Sequence, residues 1–405
     1  MTARSVPCAD VPAASGLTLG EVIRVHGAAL VDRWGAGLSG AQRRALDDLA
    51  ACRTAALGGH VWRCGACGQE QVLYNSCRNR HCPTCQASVR AAWLAREASW
   101  LLPVEYHHVV FTLPAAVAEV ALANPSLVYG LLFRAASATV REVAADPKYL
   151  GAQVGVVAVL HTWGQNLHHH PHLHCLVTGG GLSCDRTGRV AAQPCWRSCR
   201  RGFFLPVRVM GRVFRAKFLA GLRQAQARGE LRLVGRLAPL AEGPGWASWL
   251  RPLYGQDWVV YSQPPAAGAE VVLKYLSRYV HRSALSNGRL LALSEAEVSF
   301  TWKDYAHGGK ERVLTLPGEE FLRRWLQHVL PKGFVKVRHY GLLSSHGREA
   351  KLAVCRWQLL LAGVAATASS EEVSSSSWSG ACCPACGSPQ WRKGAALPRL
   401  APDTS

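Results

Sequence analysis

No apolar run in this 405-residue sequence is long enough to cross a bilayer. The longest, such as Val154 to Leu160, falls far short of the ~20 residues that a spanning helix needs. The first thirty residues also lack the basic start and long apolar stretch of an export signal. The expectation is therefore a soluble, cytoplasmic chain with no membrane partner. Acidic residues are scarce as well: 26 Asp and Glu stand against 46 Lys and Arg, a formal net charge of +20. That imbalance calls for a polyanionic partner, and nucleic acid leads the candidates. Apolar residues are not scarce. At 49% of the chain they exclude a disordered polymer, and the length suffices for two or three domains with real cores.

The fifteen cysteines are an odd number, which argues against a disulfide framework in a chain without an export signal. Eight Cys and His residues capable of binding metal fall between Cys52 and Cys85. Cys64-x-x-Cys67 and Cys82-x-x-Cys85 are two knuckles, each presenting two thiolates from one tight turn to a tetrahedral zinc ion. Cys52, His60, Cys77 and His81 remain. Paired as 52 with 60 and 77 with 81, they alternate with the knuckles and suit a second, interleaved zinc site; otherwise one ion binds and the histidines are ordinary polar residues. Arg53, Arg63, Arg78 and Arg80 around the cluster suggest a surface that faces phosphates. Closed four-ligand sites are structural, so this module is assigned DNA binding and not chemistry.

Residues 1–15, rich in Ala, Pro and Ser, read as a loose, disordered tail. Residues 16–102 form a helical and zinc-binding DNA-binding domain, whose second helix starts at Ser39 with Gln42 completing a capping box. From Tyr106 the pattern changes. Tyr106 to Leu113, Val154 to His161 and His170 to Val177 read as strands, the last ended by Gly179-Gly180-Gly181. Ala115 to Ala123 and Ser126 to Ala145 read as helices, Trp258 to Ser262 as a strand stopped by Pro264-Pro265, and Val298 to Tyr305 and Arg312 to Leu316 as two more. Residues 103–362 thus form an α+β domain around an antiparallel sheet. Residues 363–405 are a Ser- and Ala-rich flexible linker and a short tail with Cys383-x-x-Cys386, half of a zinc ribbon with no second pair downstream.

Two features carry chemistry. Residues 168–174 read His-His-His-Pro-His-Leu-His, and on a strand His172 and His174 share a face while Leu173 turns to the core. Two imidazoles so placed can chelate one divalent ion, and a hairpin through residues 162–169 would bring His161 close as a third ligand. His170 is in phase too, next to Pro171. The plainer reading is a His-rich surface loop, but the apolar continuation Cys175-Leu176-Val177 argues for a buried strand. Second, Tyr275 and Tyr279 lie four apart on a helical pattern from Glu270 to Arg282, flanked by Lys274, Arg278, His281 and Arg282. Tyrosines at this spacing often pack in a core. A phenol with a pKa of about 10 becomes a nucleophile only beside a cation. Between these features, residues 197–232 hold ten Arg or Lys and one acid, Glu230, a stretch assigned to the DNA backbone.

The order of these pieces resembles the two-tyrosine HUH transposases of rolling-circle insertion sequences, the IS91 family. The motifs that carry the likeness are Asn75-Ser76-Cys77-Arg78-Asn79-Arg80-His81-Cys82-Pro83, Val110-Phe111-Thr112-Leu113-Pro114 and His161-Thr162-Trp163-Gly164-Gln165-Asn166-Leu167. His170-Pro171-His172-Leu173-His174, Gly179-Gly180-Gly181-Leu182, Tyr275-Leu276-Ser277-Arg278-Tyr279 and Arg338-His339-Tyr340-Gly341-Leu342 complete the set, which spans about residues 20 to 360. The resemblance implies an HUH-type antiparallel sheet flanked by helices, and a bacterial, DNA-associated enzyme that cuts and joins single-stranded DNA. His172 and His174 would hold Mg²⁺ or Mn²⁺ at the scissile phosphate, with His161 as third ligand by analogy with relaxases. Tyr275 or Tyr279 would form a 5′-phosphotyrosine link, and the other would serve strand transfer. Storing the bond in that link removes any need for an ATP-binding loop, and the sequence has none. The resemblance also implies Zn²⁺ in the cysteine module, and DNA contacts by Arg78, Arg80, Lys274, Arg278 and Arg282. The alternative is a non-catalytic zinc-dependent DNA-binding protein derived from such a transposase.

Overall fold

A computed structural model describes residues 16–185, 187–200, 204–266, 283–363 and 382–399. Tyr275, Tyr279, Lys274, Arg278 and Arg282 lie outside the described residues, as do the linker and the first fifteen residues. The chain forms two compact units, one drawn from within residues 1–88, 283–329 and 370–405 and the other from within 89–282 and 330–369. The sequence boundaries at 102/103 and 362/363 run linearly, whereas these units are discontinuous, because strand pairing joins distant segments. Among the described residues, no helix is long and apolar enough to cross a membrane.

The first unit begins with α1 (Leu19–Trp34) and α2 (Gly40–Ala50), each opened by a capping box: Thr18 with Glu21, and Ser39 with Gln42. A three-stranded antiparallel sheet follows, ordered β12-β1-β2, from β1 (Gly59–Cys64), β2 (Glu70–Tyr74) and the C-terminal β12 (Trp391–Leu397). Its second sheet is a meander of β8 (Leu290–Leu293), β9 (Glu297–Asp304) and β10 (Lys310–Pro317), with α8 (Gly318–Leu326) beyond it. Phe300 and Phe321 meet edge to face at 5.5 Å and are both fully buried.

The second unit is built on an antiparallel sheet ordered β11-β4-β5-β3-β7, with β6 (Trp196–Ser198) paired to β5. Its strands are β3 (Tyr106–Thr112), β4 (Ala152–Trp163), β5 (His169–Ser183), β7 (Val260–Ala266) and β11 (Val337–Gly341). Alternation sends Val154, Val156, Ala158 and Leu160 of β4 to one side, where they pack with α5 (Pro125–Ala145) and α6 (Val207–Ala227). Val157 and Val159 go to the other side, with α3 (Gln86–Ala98) and α9 (Arg348–Leu361). Both faces are covered, which is why β4 reads as one continuous apolar run.

Two breaks expected from the sequence are not breaks. β5 runs straight through Gly179-Gly180-Gly181 to Ser183. A Cβ at Gly180 would stand 2.6 Å from the Arg197 carbonyl oxygen, and one at Gly181 would stand 2.0 Å from that of Gln153. The glycines let neighbouring strands close in; they do not end the strand. β7 likewise continues through Pro264-Pro265, which an edge strand tolerates because one row of its N–H groups has no ladder to serve.

Candidate metal centre

Register alone assembles the histidine centre. His161 on β4 is paired directly with His172 on β5, and His174 lies one pleat further along the same face. The intervening turn is closed by Gly164 N–H donating to the His168 carbonyl at 2.8 Å. Leu167 in it adopts φ 62°, a left-handed conformation costing about 1 kcal/mol that its complete burial holds in place. The three rings bring one nitrogen each within 4.8 Å of the others. His170, two residues before His172 on β5, is exposed, and its carbonyl accepts from His172 Nδ1.

The protons on these rings can be placed by elimination. Gln263 on β7 presents Oε1, which only accepts, 3.2 Å from His108 Nδ1 on β3; that nitrogen is therefore the donor. A neutral His108 then accepts at Nε2, 2.8 Å from His174 Nδ1, so His174 donates there. His172 Nδ1 lies 2.7 Å from the His170 carbonyl and must donate too. Burial holds His108 and His172 down to about 4, so neither ring is charged near neutral pH. His172 Nε2 and His174 Nε2 lie 3.1 Å apart. An octahedral ion with bonds of about 2.1 Å has an edge of about 3.0 Å, so the donor set fits a small divalent ion. His161 completes the arc, its ring stacked on Trp163 at 4.5 Å.

The sequence reading missed His108 and Gln263. The available signal was the pair His107-His108 on the strand beside the His-Leu-His strand, with Val110 opposite His174 fixing the face.

The cysteines form two clusters in the first unit, and the grouping differs from the one spacing suggested. Cys52, Cys77, Cys82 and Cys85 lie together, with Sγ–Sγ separations of 3.6 Å for 52–85, 3.6 Å for 52–82 and 3.7 Å for 77–85. The Cys64–Cys67 knuckle instead meets Cys383 and Cys386. Four sulfurs at about 2.3 Å around tetrahedral zinc are about 3.8 Å apart, so the first cluster suits that ion. A disulfide, at about 2.05 Å, is excluded for these pairs. Hydrogen bonds from Cys77 and Cys82 bring the Cys52 thiol down, and the same contacts with Cys52 push Cys77 and Cys82 up. His60 and His81 are in neither cluster: His60 sits on β1, and His81 Nε2 faces the Arg80 guanidinium at 3.4 Å. Asn79, between Arg78 and Arg80, donates to Asp48 on α2 at 2.9 Å and ties the cysteine loop to the helices.

The basic stretch becomes α6. Met210, Phe214, Phe218 and Leu222 are buried, while Arg208, Arg212 and Arg223 are exposed. Arg208, Arg212 and Arg215 line a cleft of about 400 Å³ against Val259 and Val260 of the edge strand region.

A sheet-borne group of three histidines together with all-cysteine clusters gives an α+β protein with residue sets that could hold metal ions. Comparison with known proteins then gives the family. Residues 155–351 match the family described as "Putative transposase" and residues 22–113 the one described as "Transposase zinc-binding domain". The chain is 50% identical over 344 residues to "Putative transposase y4qJ" of Sinorhizobium fredii, covering 85% of this chain and 84% of that protein. It is 28% identical over 319 residues to "Transposase for insertion sequence element IS801" of Pseudomonas savastanoi pv. phaseolicola, covering 76% and 72%. No solved structure matches the chain. The chain belongs to the IS91 family of transposases.

Proposed function

We propose that this transposase cuts and rejoins single-stranded DNA through a 5′-phosphotyrosine, in the manner of rolling-circle transposition. The observation that carries the reading is the close set of ring nitrogens from His172 and His174, 3.1 Å apart, with His161 beside them. These three residues would hold Mg²⁺ or Mn²⁺, which when bound polarises the scissile phosphate. The hydroxyl oxygen of Tyr275 or Tyr279 gives up its proton and attacks phosphorus. The bond from phosphorus to the 3′ oxygen breaks, and that oxygen leaves as a 3′-hydroxyl. A 3′-hydroxyl then attacks the phosphotyrosine in the reverse sense, joining the strands and restoring the phenol. One phosphodiester is exchanged for another, so no nucleotide cofactor is consumed. Tyr275 follows the last residue of β7 by nine positions, a tether of at most about 30 Å from the strand that carries Gln263. The α6 arginines, Arg78 and Arg80, with Lys274, Arg278 and Arg282, supply phosphate contacts that carry no sequence information.

The test is a denaturing gel of labelled single strands covering both element ends, incubated with protein and Mn²⁺. A slow-migrating covalent adduct is expected, lost in the chain carrying both Tyr275→Phe and Tyr279→Phe. Nicking by that double variant would overturn the mechanism, and binding without any adduct in the unaltered chain would favour a non-catalytic DNA-binding protein.

A second expectation concerns Gln263, read here as a positioning residue that fixes the tautomer of His174 through His108. Gln263→Leu should weaken Mn²⁺ binding by about 10- to 100-fold, the usual range for groups that orient a ligand. Gln263→Glu keeps an acceptor and should restore most of it. Mn²⁺ titration followed by electron paramagnetic resonance reads both. Equal affinities in all three chains would remove Gln263 from the centre.

A further inference from the structure

Two matching knuckles meet at the edge of the β12-β1-β2 sheet. Cys64-Gly65-Ala66-Cys67-Gly68 and Cys383-Pro384-Ala385-Cys386-Gly387 have the same spacing, and each ends on a left-handed glycine, φ 75° at Gly68 and 73° at Gly387. Their hydrogen bonds repeat as well. Gly68 N–H donates to the Cys64 carbonyl at 3.0 Å, and Gly387 N–H to the Cys383 carbonyl at 2.8 Å. Cys64 N–H donates to Gln69 and Cys383 N–H to Ser388, both at 2.8 Å. The two turns are thus one structural unit used twice, placed face to face. Cys64 Sγ lies 3.6 Å from Cys386 Sγ, and Cys67 Sγ 3.6 Å from Cys383 Sγ. The chain from each knuckle then runs into the same sheet, with Cys64 opposite Trp391 and Gly59 opposite Leu397.

We infer that Cys64, Cys67, Cys383 and Cys386 bind a zinc ion of their own, so that the zinc module is closed by the C-terminal segment of the chain. Residues 22–113, the stretch that matches the transposase zinc-binding domain, hold only half of this site. The separations are close to the roughly 3.8 Å edge of a tetrahedron of thiolates around zinc, and too long for a disulfide at about 2.05 Å. The ion joins positions 316 residues apart, and it is independent of the cluster at Cys52, Cys77, Cys82 and Cys85.

Zinc content of the purified full-length chain tests this. Two ions per chain are expected, falling to one with Cys383→Ser and Cys386→Ser together, and to one with Cys64→Ser and Cys67→Ser together. All four substitutions at once should still leave one ion, because both pairs serve the same site. Retention of two ions without Cys383 and Cys386, or loss of both ions in the four-substituted chain, would overturn the inference. The unaltered protein offers a measurement that needs no variant to fold. Alkylation followed by mass spectrometry should find Cys64, Cys67, Cys383 and Cys386 all protected in the zinc-loaded chain, and all four released together as a chelator is titrated in. Modification of Cys383 and Cys386 while Cys64 and Cys67 stay protected would refute a shared ion.

Discussion

Alanine at both His172 and His174 should give a chain that still binds DNA and no longer cuts it, with nicking down by about 10³-fold or more. That is the scale of loss when a preorganised group that stabilises developing charge is removed from an active site. Gln263 Oε1 and the His170 carbonyl orient the rings, directly or through His108, and the Nε2 atoms of His172 and His174 lie 3.1 Å apart. Nothing else among the described residues brings a donor pair of this kind to the sheet. The substitution spares the fold, because Leu173 between the two histidines, not the histidines themselves, is packed in the core. His161→Ala should cost less, since it leaves the chelating edge intact. DNA affinity should hold, because a formal charge of +20 and the α6 arginines are untouched. Single-turnover nicking with Mn²⁺, beside Mn²⁺ binding and DNA binding measured separately, checks all three statements. A doubly substituted chain that nicks at the normal rate would refute the centre.

The sheet of the second unit was legible where side-chain period speaks for itself. β4 and β5 have apolar residues on both phases because helices cover both faces, and His172 and His174 interrupt that run on one phase only. Punctuation residues misled. Gly179-Gly180-Gly181 reads as a stop, but a glycine run also marks strands pressed close, and only the neighbours Gln153 and Arg197 tell the two apart. Pro264 reads as a stop until β7 is known to be an edge. The cysteines show the same limit. Spacing identifies a knuckle, since two thiolates per turn is a local property, but which knuckles share an ion depends on the path of the chain between them. The knuckles at Cys64–Cys67 and Cys383–Cys386 are brought together by a strand that arrives more than 300 residues later, and no local pattern encodes that. His108 was invisible for a related reason: its role comes from standing across the ladder from β5, which register reveals and spacing along β3 does not.

Cys82→Ser should have the largest effect on stability of any single change in the first unit. Cys82 is buried and sits 3.6 Å from Cys52, within a cluster that also draws in Cys77 and Cys85. Structural zinc sites contribute about 10–16 kcal/mol of binding energy to folding, more than the whole net stability of an ordinary domain. The segment they hold here has little else to hold it. Between Cys64 and Cys85 the described residues are mostly exposed or half-buried, and Arg78 adopts φ 54°, a strained left-handed turn. Losing the ion should therefore open residues 52–86, and a strong chelator should do the same to the unaltered chain. Acid should act in the same direction, because protons compete for the thiolates that bind the metal. The second unit has its own core of β4, β5, α5 and α6, with no cysteine cluster among its described residues. Hydrogen exchange should accordingly show protection lost in residues 52–86 and kept in β4 and β5. Equal loss in both, or no loss in either, would show that the cysteine cluster does not govern the stability of its own unit.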